Sequence, residues 1–266
     1  LGHIFKEMTR KIKFSKYQGA GNDFILIDNR HGFFDRDDHD AVRKLCDRRF
    51  GVGADGLMLL QDTKNFDFEM IYYNADGREG TMCGNGGRCI VAFARDLGIV
   101  RDKTAFLAVD GQHDAVITNN RVDLGMIDVF TVRRDGEAYV LNTGSPHYVE
   151  FVQALASMNV YQAGFAIRNN EIYREDGINV NFIEKEGHGY FVRTFERGVE
   201  DETFACGTGA TAAAMAAAIR ENLEGDVEIP IRVLGGQLYI AFRKAGDSFT
   251  NVRLKGPADF VFTGEV

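Results

Sequence analysis

Proline is scarce, at 3 residues in 266, and tryptophan is absent. With so little proline, neither a proline-rich linker nor a low-complexity tract is available. No apolar run approaches the roughly 18 residues a membrane-spanning helix needs. Basic residues number 31 but never form a solid block, and the formal net charge is −8 with a pI near 5.3. Phosphate backbones and anionic lipids are recognised by concentrated Lys and Arg, so neither a nucleic-acid nor a membrane partner is expected. Cysteine is limited to Cys46, Cys83, Cys89 and Cys206, with no CxxC pair. That is too few for a disulfide scaffold, and free thiols in a reducing cytoplasm are the expected state. No secretory signal marks the start. Residues 1–10, opening on Leu1, read as an extension or tag remnant outside the fold.

Glycine, by contrast, is plentiful at 30 residues, and hydrophobic residues make up 45% against 26% charged. This balance is that of an ordinary folded chain. The strongest organising signal is an internal duplication. Cys83-Gly84-Asn85-Gly86 returns 123 positions later as Cys206-Gly207-Thr208-Gly209. The same offset carries Phe68, Met70 and Tyr72 onto Phe191, Arg193 and Phe195, an alternating strand pattern in each half. It also carries the run from Cys89 to Arg95 onto Ala212 to Ala218, an apolar helix in each half. The expected organisation is a first half over 11–125 and a second over 126–257, with a final strand at 258–266 crossing back to complete the first.

Most of the chain reads as strands of four to eight residues. Helices are expected at about 38–49, 86–97 and 209–222, with a short one at 152–156. Long strand runs with one main helix per half predict an α+β fold. Its two pseudo-symmetric domains would each curl a mainly antiparallel sheet or barrel around a central helix. The acidic run 35–40 is read as opening and capping the helix behind it rather than as a metal site.

Each Cys-Gly-x-Gly lies where a helix begins. A helix N-terminus presents unpaired N–H groups and a partial positive charge. A carboxylate can bind there without Lys or Arg, and a cysteine there is expected to ionise more readily. Two such cysteines facing each other across a cleft suit the inversion of a carbon centre, with a base on one face and an acid on the other. Taken alone, either cysteine would read as a small buried hydrophobe, and Gly-x-Gly as plain turn chemistry. The paired occurrence favours catalysis.

Seven segments, in order, resemble the diaminopimelate epimerase family. They are Tyr17-Gln18-Gly19-Ala20-Gly21-Asn22-Asp23-Phe24, Gly51-Val52-Gly53-Ala54-Asp55-Gly56, Tyr73-Asn74-Ala75-Asp76-Gly77, Met82-Cys83-Gly84-Asn85-Gly86, Pro146-His147, Phe195-Glu196-Arg197-Gly198 and Ala205-Cys206-Gly207-Thr208-Gly209. The resemblance runs from about residue 14 to 261. Asn85 separates the chain from the related proline racemases, which carry His there. The resemblance implies cofactor-independent epimerisation of LL-diaminopimelate to its meso form, in lysine and peptidoglycan synthesis, by an enzyme that is often a homodimer. It implies Cys83 and Cys206 as the two acid/bases. It further implies Asn22 and Asn74 on substrate polar groups, and Gly84, Asn85, Gly207 and Thr208 giving N–H groups to the reacting carboxylate. Asn179, Glu196 and Arg197 would hold the distal end, and His147 and Glu196 would lie near the thiols. As a functional group, His147 would accept the thiol proton at a pKa suited to neutral pH; a structural hydrogen bond is the plainer alternative. Neither cofactor nor metal is implied.

Two departures stand out. Many family members carry Gln where this chain has Gly56, and Asn where it has Ser145; Ser145 could still bond the distal carboxylate. Three other readings remain open on the residues alone: epimerisation of another amino acid such as hydroxyproline, a thiol-redox or metal-binding protein built on Cys83 and Cys206, and a catalytically silent binder. The retained cysteine pair and the lack of metal-spaced partners weigh against the last two.

Overall fold

The computed structural model of the protein describes residues 11–119 and 121–266. The expected extension at 1–10 lies outside the described residues. The first half runs β1 (Lys13–Gly19), β2 (Asn22–Asp28), α1 (His39–Cys46), β3 (Gly56–Gln61), β4 (Phe68–Asn74), α2 (Gly84–Asp96), β5 (Lys103–Ala108), β6 (Gly111–Thr118) and β7 (Arg121–Gly125). There follow β8 (Val132–Asp135), β9 (Ala138–Asn142), β10 (Pro146–Phe151), α3 (Val160–Arg168), β11 (Asn179–Glu186), β12 (Gly189–Glu196), β13 (Asp201–Thr203), α4 (Gly207–Arg220), β14 (Gly225–Val233), β15 (Gly236–Ala245), β16 (Ser248–Pro257) and β17 (Asp259–Glu265).

The strands form one continuous sheet that passes through both halves. Starting from β17, the neighbours are β1, β2, β3, β4, β5, β6 and β7. The sheet then crosses to β16 through an antiparallel ladder and continues through β15, β14, β12, β11, β10, β9 and β8. Pairing is mainly antiparallel. The parallel pairs are β2–β3 and β4–β5 in one half, and β10–β11 and β12–β14 in the other. The strands β1 to β7 therefore repeat, neighbour for neighbour, as β9, β10, β11, β12, β14, β15 and β16.

Each half wraps its sheet around one helix. Helix α2 is buried from Gly84 to Ala94, against Phe24, Leu26, Met58, Phe68, Phe106 and Leu124. Helix α4 carries alanine where α2 carries larger residues, and Ala212 to Ala218 are sealed among Val149, Ile183, Val192, Ile231, Leu238 and Ile240. A helix as apolar all round as α4 is stable only when enclosed; α2 is enclosed too, taking the polar Asn85 and Arg88 inside with it. The fold is the expected α+β arrangement.

The elements differ from expectation in instructive places. Helix α3 is not anticipated from the sequence because Gly164 interrupts its pattern. A Cβ there would fall 2.3 Å from Phe195 Cβ, so close packing on β12 demands glycine in mid-helix. The polar strands β8 and β13 carry little apolar alternation and are likewise unforeseen. In place of a helix at 152–156 there is a single 3-10 turn, Leu155–Ser157. The acidic run does cap α1: Asp38 Oδ1 accepts the Ala41 N–H at 2.9 Å.

Candidate active site

The N-termini of α2 and α4 meet at the junction of the halves. Cys83 is the N-cap of α2 and Cys206 that of α4, both in extended conformation. The glycine that follows each makes the approach possible: a Cβ built on Gly207 would stand 3.3 Å from Gly84 Cα, and one on Gly84 would stand 3.6 Å from Gly207 Cα. Leu254 Cδ2 backs both glycines, at 2.6 Å from the Gly84 Cβ position and 2.9 Å from that of Gly207. Beneath the first helical turns the halves correspond again. Gly86 leaves room for Met58 Cε, and Gly209 leaves room for Asn181 Oδ1. Cys83 Sγ accepts the Gly86 N–H at 3.5 Å, and Cys206 Sγ lies 3.4 Å from Thr208 Oγ1. Both helices begin two residues earlier than the sequence suggests, so Gly84, Asn85, Gly207 and Thr208 already belong to the N-terminal turns.

The thiols do not ionise more readily than free cysteine, contrary to the sequence expectation. Burial pushes Cys83 up to about 11, against the opposing pull of the Gly86 and Asn85 N–H groups and Arg88; the Glu196 charge raises it further. Cys206 is raised as well, first by burial and then by Glu196, while the Thr208 hydroxyl and Gly209 N–H work the other way. Desolvation here outweighs the helix terminus. Glu196 is itself raised by burial and by Asp55, opposed by a 3.0 Å hydrogen bond from Thr203 Oγ1. One carboxyl that holds its proton more firmly than usual thus lies near two thiols that do the same.

In the first half, Asn22 is held on two sides. Its Nδ2 donates to Asp55 at 2.9 Å, and its Oδ1 accepts from Asn85 Nδ2 at 2.6 Å. Asn85 Nδ2 also donates to Ala205 O of the second half at 2.9 Å, and Arg88 Nη2 donates to Asn85 Oδ1 at 3.0 Å. Asn85 therefore acts with its side chain as a latch between the halves, a role additional to the backbone one expected of it. Arg48 bridges Asp23 and Asp55 at 2.6 and 2.7 Å. Burial disfavours the Asp23 anion, but Arg48 and Lys16 prevail and bring it down to about 2. Asn74 is exposed at the end of β4, with its Oδ1 accepting from the Tyr72 hydroxyl at 3.0 Å.

In the second half, β12 ends at Glu196, and Gly198 turns the chain with a φ of +90°. Glu196 accepts from Thr203 and lies close enough for its charge to raise both thiols, whereas Arg197 is exposed and its Nη1 donates to Asp176 O at 2.9 Å. The two side chains do not converge in this state. Asn179 spends its amide on the protein: Nδ2 donates to Ser145 Oγ at 2.8 Å and to Pro146 O at 3.1 Å, and Oδ1 accepts the Arg197 N–H at 2.9 Å. His147 is fully buried, and burial together with the Arg197 charge lowers it to about 3. This corrects the expectation of a titration near neutrality. Its Nδ1 accepts from Asn181 Nδ2 at 3.1 Å, so Nε2 carries the proton, and that nitrogen has no protein partner among the described residues. As found, His147 is a neutral donor. Among the described residues no group of three or more His, Cys, Asp or Glu side chains is placed to hold a metal ion.

The family model for diaminopimelate epimerase matches residues 14–125 and 139–261. The chain belongs to the diaminopimelate epimerase family. It is 49% identical over 253 residues to the diaminopimelate epimerase of Flavobacterium psychrophilum, covering 94% of this chain and 98% of that protein. It is 42% identical to that of Chlorobaculum tepidum, covering 93% and 98%. Among solved structures, a PhzF-family phenazine biosynthesis protein of Bacillus anthracis superposes with a TM-score of 0.74 at 14% identity, covering 97% of this chain and 99% of that one. A hydroxyproline epimerase of Agrobacterium vitis with bound trans-4-hydroxy-L-proline gives 0.74 at 14%, covering 98% and 94%. At that identity the two structures share the fold.

Within this member of the family, four residues at the site went without a role in the sequence reading. Asp55 anchors Asn22, and it stands inside a quoted motif. Arg88, fully buried, donates to Gly84 O, Pro257 O and Asn85 Oδ1; it lies just over one helical turn beyond Cys83. Asn181 holds His147, and the duplication offset would have flagged it as the counterpart of Met58. Tyr72 shares a strand face with Asn74, as alternation implies; its hydroxyl bond to Asn74 is what the sequence does not reveal.

Proposed function

We propose that the protein epimerises LL-2,6-diaminopimelate to meso-diaminopimelate by a two-thiol mechanism without a cofactor. The observation that carries this reading is the contact of Gly84 with Gly207, which joins two helix N-termini, each capped by a cysteine. A substrate carboxylate seated at that junction would receive N–H groups from both helices. One cysteine, as thiolate, takes the α-hydrogen: the Cα–H bond breaks, an S–H bond forms, and the electron pair moves into the carboxylate as an enediolate. The helix N-termini oppose that growing negative charge. The other cysteine then delivers its proton to the opposite face, so the centre is inverted and no atom is gained or lost. The raised thiols require an acceptor for the first proton, and Glu196, whose charge reaches both, is the group assigned that role in this reading. Asn22, Asn74, Asn179 and Arg197 are the candidate substrate contacts in this reading.

We place this activity in the cytoplasm, in lysine biosynthesis, where the free state of all four cysteines can persist. The test is turnover of LL-diaminopimelate in deuterium oxide with no added cofactor. Deuterium should enter the α position of product, and Cys83→Ala or Cys206→Ala should each lower kcat by at least about 10²-fold, the scale of a lost acid/base. Product formed without solvent deuterium, or full activity in either variant, would refute the two-thiol mechanism.

A further inference from the structure

Tyr72 occupies a slot that two glycines keep open. It stands on β4 two residues before Asn74, on the same face of the strand, and the register pairs Asn74 with Gly56 and Tyr72 with Met58. On one edge of the ring, Cε2 lies 2.6 Å and Oη 3.1 Å from where a Cβ on Gly56 would be. On the other edge, Cε1 and Cδ1 lie 2.6 and 2.7 Å from where a Cβ on Gly80 would be. The Tyr73 carbonyl, 2.5 Å from the same point at Gly56, closes that position to any side chain. The space beside Gly56 is thus occupied by the Tyr72 phenol. Phe24 meets the ring edge-to-face at 6.2 Å and fixes its plane.

Among the described residues the hydroxyl has one protein partner, Asn74 Oδ1 at 3.0 Å. Burial, with the charges of Cys83, Glu196 and Asp55, keeps the phenol protonated, so it donates. An asparagine amide free to rotate offers either an acceptor or two donors. With Oδ1 taken by Tyr72, the Nδ2 group is the end left over, and it makes no hydrogen bond to the protein among the described residues. Gly80 leaves it space, its Cβ position being 3.1 Å from Nδ2.

We infer that Tyr72 is a positioning residue that sets specificity: its hydroxyl locks Asn74 with the N–H donors facing the cleft, so that this corner accepts a substrate carboxylate and rejects an ammonium group. The inference rests on the proposed reading in which Asn74 contacts substrate. Tyr72→Phe keeps the ring in its slot and removes only the lock. KM for LL-diaminopimelate should rise about 3–10-fold, the worth of one net hydrogen bond, with kcat within about 2-fold of the parent. Asn74→Ala should raise KM at least as much. In the double variant the Tyr72 change should add nothing further, because its effect passes through Asn74. A raised KM in Asn74→Ala with none in Tyr72→Phe would overturn the inference and leave the site reading standing. No change in either variant would remove Asn74 from the site and the inference with it. Independent, multiplying effects, or a fall in kcat at unchanged KM in Tyr72→Phe, would also overturn it.

Discussion

Glu196 is held in an environment that favours its neutral form, yet the proposed chemistry needs it to take a proton. Burial and the Asp55 charge raise its carboxyl, and only the Thr203 hydroxyl pulls the other way. Below the ordinary carboxylate range the acid is neutral in both the folded and unfolded chain, and its burial costs nothing extra. As the pH rises above that range, the unfolded chain releases the proton first, so the folded protein loses stability until its own raised pKa is passed. Glu196→Gln removes that titration. The variant should be more stable than the parent at pH 7–8, with the advantage shrinking to nothing near pH 3–4, and its kcat should fall about 10²–10⁴-fold. Thermal melts across that range, paired with rates, check both parts; equal melting temperatures at every pH would contradict the assignment. A gain in stability bought with activity is the usual mark of a functional residue. His147 behaves in the opposite sense: as pH falls below the ordinary imidazole range the unfolded chain takes up the proton first, so the fold loses stability until about 3, where the buried ring is charged too.

At the scale of elements, the two cysteine helices were legible because each carries a local signature, Cys-Gly-x-Gly before a small apolar run. The central place of the helices was expected; the burial of the thiols themselves was not, and it reversed the expected shift. It comes from partners far along the chain, such as Leu254 behind both helix starts. The same holds for Asn22, whose neighbours in sequence suggest a turn but whose partners are Asp55 and Asn85. Helix α3 was lost for a third reason, since its glycine serves Phe195 rather than the helix. The end-to-end contact of α2 and α4 makes a prediction of its own. Alanine at Gly84 or Gly207 would drive a methyl into the fully buried Leu254 and wedge the helix ends apart. Overpacking of this kind costs about 1–3 kcal/mol, measurable by urea unfolding. The cost of Gly84→Ala combined with Leu254→Ala should fall short of the sum of the two single costs by at least about 0.5 kcal/mol. Strict additivity would show that the close contact is not the source of the strain.

Taken as one molecule, the protein divides its chain into repeating halves but not its sheet. The β7–β16 ladder carries hydrogen bonding from one half into the other, and β17 returns from the second half to lie on β1. Arg253 of β16 fastens the joint. Its Nε donates to Asp123 Oδ1 and its Nη1 to Asp114 Oδ2, each at 2.6 Å, and its Nη2 donates to Asp123 O at 2.8 Å. Charge-assisted bonds of this geometry are among the stronger ones, though Asp114 is more than half exposed and its share is screened. Removing the guanidinium would leave Asp114 without this partner and Asp123 with Lys255, at 3.7 Å. Arg253→Met, which keeps an apolar stem, should therefore cost about 1–2 kcal/mol and lower Tm by about 2–8 °C. Because each half depends on a strand from the other, parent and variant should both unfold in a single calorimetric transition, with van't Hoff and calorimetric enthalpies in agreement. Two resolved transitions in the parent would mean that the halves are stable separately, and that the shared sheet joins them without coupling them.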